Sequence, residues 1–178
     1  MIPGFLIALV TFPGVIVHEM GHQFFCRRYR LPVYSVCYFR LGNPAGYVIH
    51  EQTDSYPQSF WISVGPLIVN TLVAIAVGFP VAISVLTLRT ATPLQWGLAW
   101  LAVSIGMHAF PSSGDAKNLW TKSKQARSEG HLAAYIGFPM VIFIRFANLA
   151  SILWFDAIYA VCVVGFIPNL VVRLLAGV

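Results

Sequence analysis

The chain has 178 residues, of which 58% are hydrophobic and 10% charged, with a net charge of +5 and a mean hydropathy of +0.75. A soluble domain carries about 25% charged residues, so too little polar surface is present here to cover a water-soluble globule. That composition excludes an ordinary soluble enzyme and points to one compact transmembrane domain spanning residues 1–178. The basic balance does not call for nucleic acid, because most Lys and Arg flank apolar stretches, as membrane topology requires. Cys26, Cys37 and Cys162 are scattered and odd in number. They form neither a disulfide framework nor a Cys-x-x-Cys zinc knuckle.

Five apolar spans are expected, with a β-hairpin after the first, giving an all-α membrane protein with one small sheet. Span one covers roughly Ile2 to Cys26, with Pro3 and Gly4 at its start and Pro13 either kinking the helix or tolerated within it. It lacks the basic start and the small-residue cleavage site of a signal peptide. Arg27, Arg28 and Arg30 close it on the cytoplasmic side. Residues 33–51 read as a hairpin: β-branched and aromatic from Val33 to Phe39, a turn cluster Gly42-Asn43-Pro44-Ala45-Gly46, then Tyr47-Val48-Ile49. The hairpin is too short to span and is expected at the membrane interface. Span two runs from near Ser59 to about Leu88 and opens on Gly65-Pro66-Leu67-Ile68-Val69-Asn70. Span three is about Leu94 to Phe110, after the short loop from Arg89 to Pro93. Pro111-Ser112-Ser113-Gly114-Asp115 breaks it, and a polar segment with Lys117, Lys122, Lys124 and Arg127 follows. Spans four and five lie near Ala133–Leu153 and Ala157–Leu175, with Asp156 between them. With the amino end outside, nine of the eleven basic residues fall on the cytoplasmic side, and Arg89 and Arg145 are the exceptions. A buried acid or snorkelling would accommodate Arg145.

Within span one stands His18-Glu19-Met20-Gly21-His22. Ionisable residues in an apolar helix mark function by default. On a helix, His18 and His22 share a face one turn apart, so both imidazoles can reach one ion. Glu19 sits beside that face and reaches a water activated by the metal without being a ligand. This is the His-Glu-x-x-His pattern of zinc hydrolases, with Glu19 as general base.

A catalytic zinc takes three protein ligands and one open position. Cys26 continues the imidazole face, but eight residues of helix rise about 12 Å, too far for one ion. Asp156 falls on the opposite side of the membrane in this topology. Glu51, Asp54 and Glu129 lie in polar stretches where solvated charge is the ordinary explanation. Asp115, after a helix break level with the two imidazoles, is the preferred third ligand. His108 is its competitor, and its ordinary role is a buried histidine donating one hydrogen bond.

Together these pieces resemble the site-2 protease family of intramembrane zinc metalloproteases. That family has His-Glu-x-x-His in one helix and a Gly-Pro-x-x-x-Asn-like element in a second, matched by Gly65, Pro66 and Asn70. Its Asp ligand comes from an Asn-x-x-Pro-x-Pro-x-Leu-Asp-Gly element. Here that element reads His108-Ala109-Phe110-Pro111-Ser112-Ser113-Gly114-Asp115-Ala116, with Pro111 and Asp115 retained, His108, Ser113 and Ala116 substituted, and one residue fewer. The stretch Gly42 to Val48 is similar to the family's membrane-associated β element. The match covers about residues 5 to 120, and residues 130–178 add two helices without a motif.

The resemblance implies one zinc ion per chain, held by His18, His22 and Asp115, and hydrolysis of transmembrane protein substrates inside the lipid bilayer of the cell membrane, near the cytoplasmic side. It implies substrate contacts at Gly46, Tyr47, Val48 and Ile49 by strand addition and at Asn70, with Pro66 and His108 as auxiliaries. For Asn70 a helix–helix hydrogen bond is the equal alternative, and for Pro66 a helix start. The competing reading is a zinc-binding membrane protein without proteolysis: a transporter, sensor or scaffold. A transporter lines its path with polar groups across the bilayer, whereas here they gather near one face. A structural metal in a scaffold has no need of the base Glu19.

Overall fold

In a computed structural model, residues 4–87 and 90–176 are described. The protein is mostly helical, with one two-stranded sheet. The expected start of span one at Ile2 and Pro3, the end of span two at Leu88, and Arg89 lie outside the described residues. Three helical stretches are long and apolar enough to cross a membrane: Tyr56–Ser84, Leu132–Leu153 and Phe155–Leu174. A bent pair, Gly4–Val10 and Phe12–Arg28, makes a fourth if it counts as one span.

Span one is broken rather than kinked. Helices α1 (Gly4–Val10) and α2 (Phe12–Arg28) meet at 90°. Pro13 cannot donate a backbone hydrogen bond and its ring crowds the carbonyl four residues back, so it suits the first turn of a new helix, where it stands. Thr11 marks the joint, its hydroxyl donating to the Ile7 carbonyl at 2.6 Å.

Strands β1 (Val33–Cys37) and β2 (Tyr47–His50) pair antiparallel, Cys37 opposite Tyr47 and Val36 opposite Val48, with an irregularity at Tyr34. The hairpin has the expected place and form. Tyr38 ties it to α2 by donating to Gln23 Oε1 at 2.7 Å.

Helix α3 spans Tyr56–Val81 and continues as a π-helical turn over Ala82–Thr87. Its start is Ser55-Tyr56-Pro57, so Gly65 and Pro66 lie well inside it, where the sequence suggested an opening. Helix α4 (Pro93–Met107) begins with a reciprocal cap. Thr92 Oγ1 accepts from the Gln95 backbone, and the Gln95 side chain accepts from the Thr92 N–H at 2.6 Å, a motif worth about 1 kcal/mol.

Helices α2, α3 and α4 approach closely because small residues stand at the crossings. A Cβ on Gly21 would lie 3.0 Å from Pro66 Cα, and one on Gly14 would collide with the Ser104 carbonyl.

Helix α5 (Ser113–Ser128) is polar, and α6 (Leu132–Ala150) folds back on it. The aromatic face of α5 and α6 receives both arginines. The Arg127 guanidinium lies 4.0 Å from the Phe138 ring centre, and that of Arg145 lies 5.6 Å from Trp120. Arg145 is therefore held by a cation–π contact rather than by a buried acid.

The last helices, α7 (Phe155–Val161) and α8 (Ile167–Ala176), are joined by a π-helical turn. Spans four and five were expected as an antiparallel pair, and the contacts correct this. Along α3, Tyr56 and Phe60 meet Gly137 of α6. Thr71 then meets Tyr159 of α7 at 2.7 Å, and Gly78 meets Val164. Helices α6 and α7 thus run one after the other in the direction of α3. Arg173 in α8 sits toward the carboxyl end of α3, away from Arg27 and Arg28, and Asp156 sits at mid-height.

Candidate metal centre

His18 and His22 project from the middle of α2 into the junction with α3 and α4, and both are buried. Their Nε2 atoms lie 3.2 Å apart. His22 Nε2 lies 3.5 Å from Asp115 Oδ2, and one ligand atom from each of the three residues falls within 4.8 Å of the others. Two nitrogens on a tetrahedral zinc, at bonds of about 2.0–2.1 Å, stand roughly 3.4 Å apart. The spacing therefore fits one ion.

The hydrogen bonds fix which nitrogens face that point. His18 Nδ1 lies 2.6 Å from the His108 carbonyl oxygen, and His22 Nδ1 lies 3.0 Å from that of Ile62. A carbonyl only accepts, so each Nδ1 carries the proton and each Nε2 presents a lone pair. Two lone pairs and a carboxylate converge on one small volume, an arrangement that a cation relieves.

Asp115 stands in the first turn of α5, whose N-cap is Ser112. The Ser112 hydroxyl donates to Asp115 Oδ2 at 2.6 Å and accepts from the Asp115 backbone N–H at 3.2 Å. Burial works against ionisation of this carboxyl, whereas the hydrogen bond from the Ser112 hydroxyl favours its charged form. Ser112 was not singled out in the sequence, although Ser-x-x-Asp is a capping spacing that could have found it.

Glu19 is buried beside this cluster, and no hydrogen-bond donor reaches its carboxylate among the described residues. The hairpin loop forms the roof over it. A Cβ on Gly46 would lie 2.8 Å from Glu19 Cγ and 2.9 Å from Oε1. Only glycine lets the loop approach so closely.

The three candidate ligands and Glu19 line one cleft of about 450 Å³, with Gly46, Tyr47, Val48 and His50 on one side and Phe110, Asn148, Ser151 and Asp156 on another. Ile49 points away and is half exposed, so its side chain is not part of the cleft as expected. The alternation of a strand puts Val48 and His50 on the cleft face and Ile49 on the other. Asp156 is set aside in the sequence because the expected topology puts it across the membrane, and Asn148 carries no signal within the apolar span four. Asn148 reaches the site through a 3.0 Å bond to the Pro111 carbonyl.

Asn70 is fully buried, and its Nδ2 donates to the carbonyls of Gly14, Ile105 and His108 at 3.0 to 3.1 Å. Of the two readings of this residue, the bond between helices is the one present, and the side chain does not line the cleft. Pro66 is likewise buried inside α3 against Gly21 and does not start the helix. The His108 ring is hydrogen-bonded to Thr11 Oγ1 at 2.8 Å and is not among the three clustered ligands; it is half-buried at the edge of the cleft. Cys26 is buried outside the cluster.

No protein-family model, curated protein or solved structure matches the chain. The chemistry of the site therefore stands on its own geometry.

Proposed function

We propose that the protein is an intramembrane zinc metalloendopeptidase of the site-2 protease type, hydrolysing peptide bonds of transmembrane helices. The observation that carries this reading is the joint geometry of two Nε2 lone pairs and the Asp115 carboxylate, with Glu19 unpaired beside them in an open cleft. Zinc held by His18, His22 and Asp115 would supply Lewis-acid activation of water and of the scissile carbonyl.

Glu19 takes a proton from the attacking water and returns it to the leaving amine, so the carboxylate is regenerated in each cycle. A helical substrate hides its peptide bonds and must unwind first. The exposed edge of β2, along Tyr47 and Val48, offers main-chain partners to the unwound segment, and Gly46 keeps the roof close to Glu19. The transporter reading has less support, because the polar groups form a single pocket rather than a path.

The protein would be a multi-pass protein of the cell membrane with its site toward the cytoplasm. Arg27 and Arg28 end α2 beside the amino-terminal half of α3, and Lys122 bonds the Thr53 carbonyl at 2.7 Å at that same end. Such a gathering of basic residues marks the cytoplasmic side.

The test is cleavage of single-span peptides in liposomes with zinc present, wild type against Glu19→Gln. Cleavage by the wild type and cleavage lower by about 10² to 10⁴ in the variant are expected, with zinc bound to both. Equal cleavage by the two would reject the mechanism.

A further inference from the structure

We propose that Pro66 and Asn70 of α3 are positioning residues for the two imidazoles, each acting through a main-chain carbonyl. The proposal rests on the metal-site reading above.

In a helix, the carbonyl of Ile62 would accept from the N–H of residue 66. Proline has no N–H, so that carbonyl lacks its helical donor. It accepts instead from His22 Nδ1 at 3.0 Å. A proline at this place in an apolar helix thus has a chemical consequence one turn away. It leaves that carbonyl without the donor along the helix axis, so the oxygen is free to align on His22 Nδ1 and set the tautomer in which Nε2 faces the ion. Gly21 makes the reach possible, since a Cβ there would stand 3.0 Å from Pro66 Cα.

Asn70 does the same for His18 from the other side. Helix α4 ends at Met107, and the last carbonyls of a helix lack intrahelical donors. Asn70 Nδ2 has two hydrogens for three oxygens, so one bond is shared: Ile105 at 3.0 Å, His108 at 3.1 Å and Gly14 at 3.1 Å. The His108 carbonyl is thereby held where His18 Nδ1 meets it at 2.6 Å. An oxygen with two lone pairs serves both donors. The cost is visible, because Asn70 Oδ1 is buried with no partner. An unsatisfied buried oxygen destabilises, so a residue that only filled space here would do better as Leu.

The experiment uses the full chain in detergent. Zinc affinity is measured by competition with a chromogenic chelator, and the Co2+-substituted protein gives a visible ligand-field spectrum. Pro66→Ala and Pro66→Val restore the N–H with two different side-chain sizes, and Asn70→Leu keeps the volume while removing the donors. Each is expected to weaken zinc binding about ten- to hundredfold, the usual effect of losing an outer partner of a ligand, and to change the Co2+ bands. The two Pro66 variants should behave alike, because both restore the same backbone N–H to the Ile62 carbonyl.

Wild-type affinity in both Pro66 variants would overturn the proposal. So would loss in Pro66→Ala that Pro66→Val restores, since that would make bulk the cause. Should Asn70→Leu fail to fold, the Pro66 pair decides alone. If the unaltered chain binds no zinc, the metal-site reading falls and this proposal falls with it. If the unaltered chain binds zinc and the variants match it, only the positioning roles fall.

Discussion

Helices α2 to α4 and helices α6 to α8 are held in place by different forces. The span over Tyr56–Ser84 has a mean hydropathy of 2.2 and a third of its window buried, 33%, while Leu132–Leu153 has 1.8 and only 17% buried. In the first group, glycines let backbones meet and buried polar groups join them: Asn70 reaches three carbonyls, and both histidines reach one each. In the second group, large apolar side chains such as Ile136, Phe146 and Leu149 face outward, and Asn148 is the principal polar tie to the site. Apolarity decides that a helix enters a membrane. Small residues and satisfied polar groups decide where it packs once there.

That contrast can be broken at graded points. Glu19→Gln removes the base and leaves the ligands untouched, so peptide cleavage should drop by 10² to 10⁴, on the order of a general-base contribution, with zinc content unchanged. Gly46→Ala drives a methyl group against Glu19 Oε1. Cleavage should fall on the order of 10², as for a small misplacement of a catalytic group, again with zinc retained. A zinc loss there would mean that the roof supports the ligands rather than the base.

Ser112→Ala removes both the cap of α5 and the donor to Asp115. It should lower stability by about 1 kcal/mol, seen as a lower thermal midpoint, together with a several-fold weaker zinc affinity. At the other extreme, Leu149→Ala on the outward face of α6 should change stability by less than about 0.5 kcal/mol and leave zinc affinity unaltered. A large effect there would show that the carboxy-terminal helices shape the site after all.

Much of this was legible in the residues. The i, i+4 spacing placed His18 and His22 on one face, and the helix break before Asp115 brought a carboxylate to their level. The turn cluster at residues 42–46 announced the hairpin. Other features were hidden for physical reasons. Hydropathy reports length and apolarity but not direction, so α6 and α7 passed for an antiparallel pair and Asp156 for a residue on the far side. Pro13 and Pro66 look alike in sequence. One begins a helix at a 90° joint and the other sits inside a helix that continues through it, because His22 of α2 supplies the freed Ile62 carbonyl with the donor that a lone helix lacks. Asn70 carried two readings, and only the three surrounding carbonyls distinguish them.

The central claim is that His18, His22 and Asp115 hold one metal ion. Its most direct test is the zinc-to-protein ratio of the purified full chain after exposure to Zn2+ and removal of excess, measured by elemental analysis for wild type, Glu19→Gln and Asp115→Ala. The account expects one zinc per chain in the first two and a clear loss in Asp115→Ala. Wild-type protein without zinc, or Asp115→Ala with a full equivalent, would contradict it.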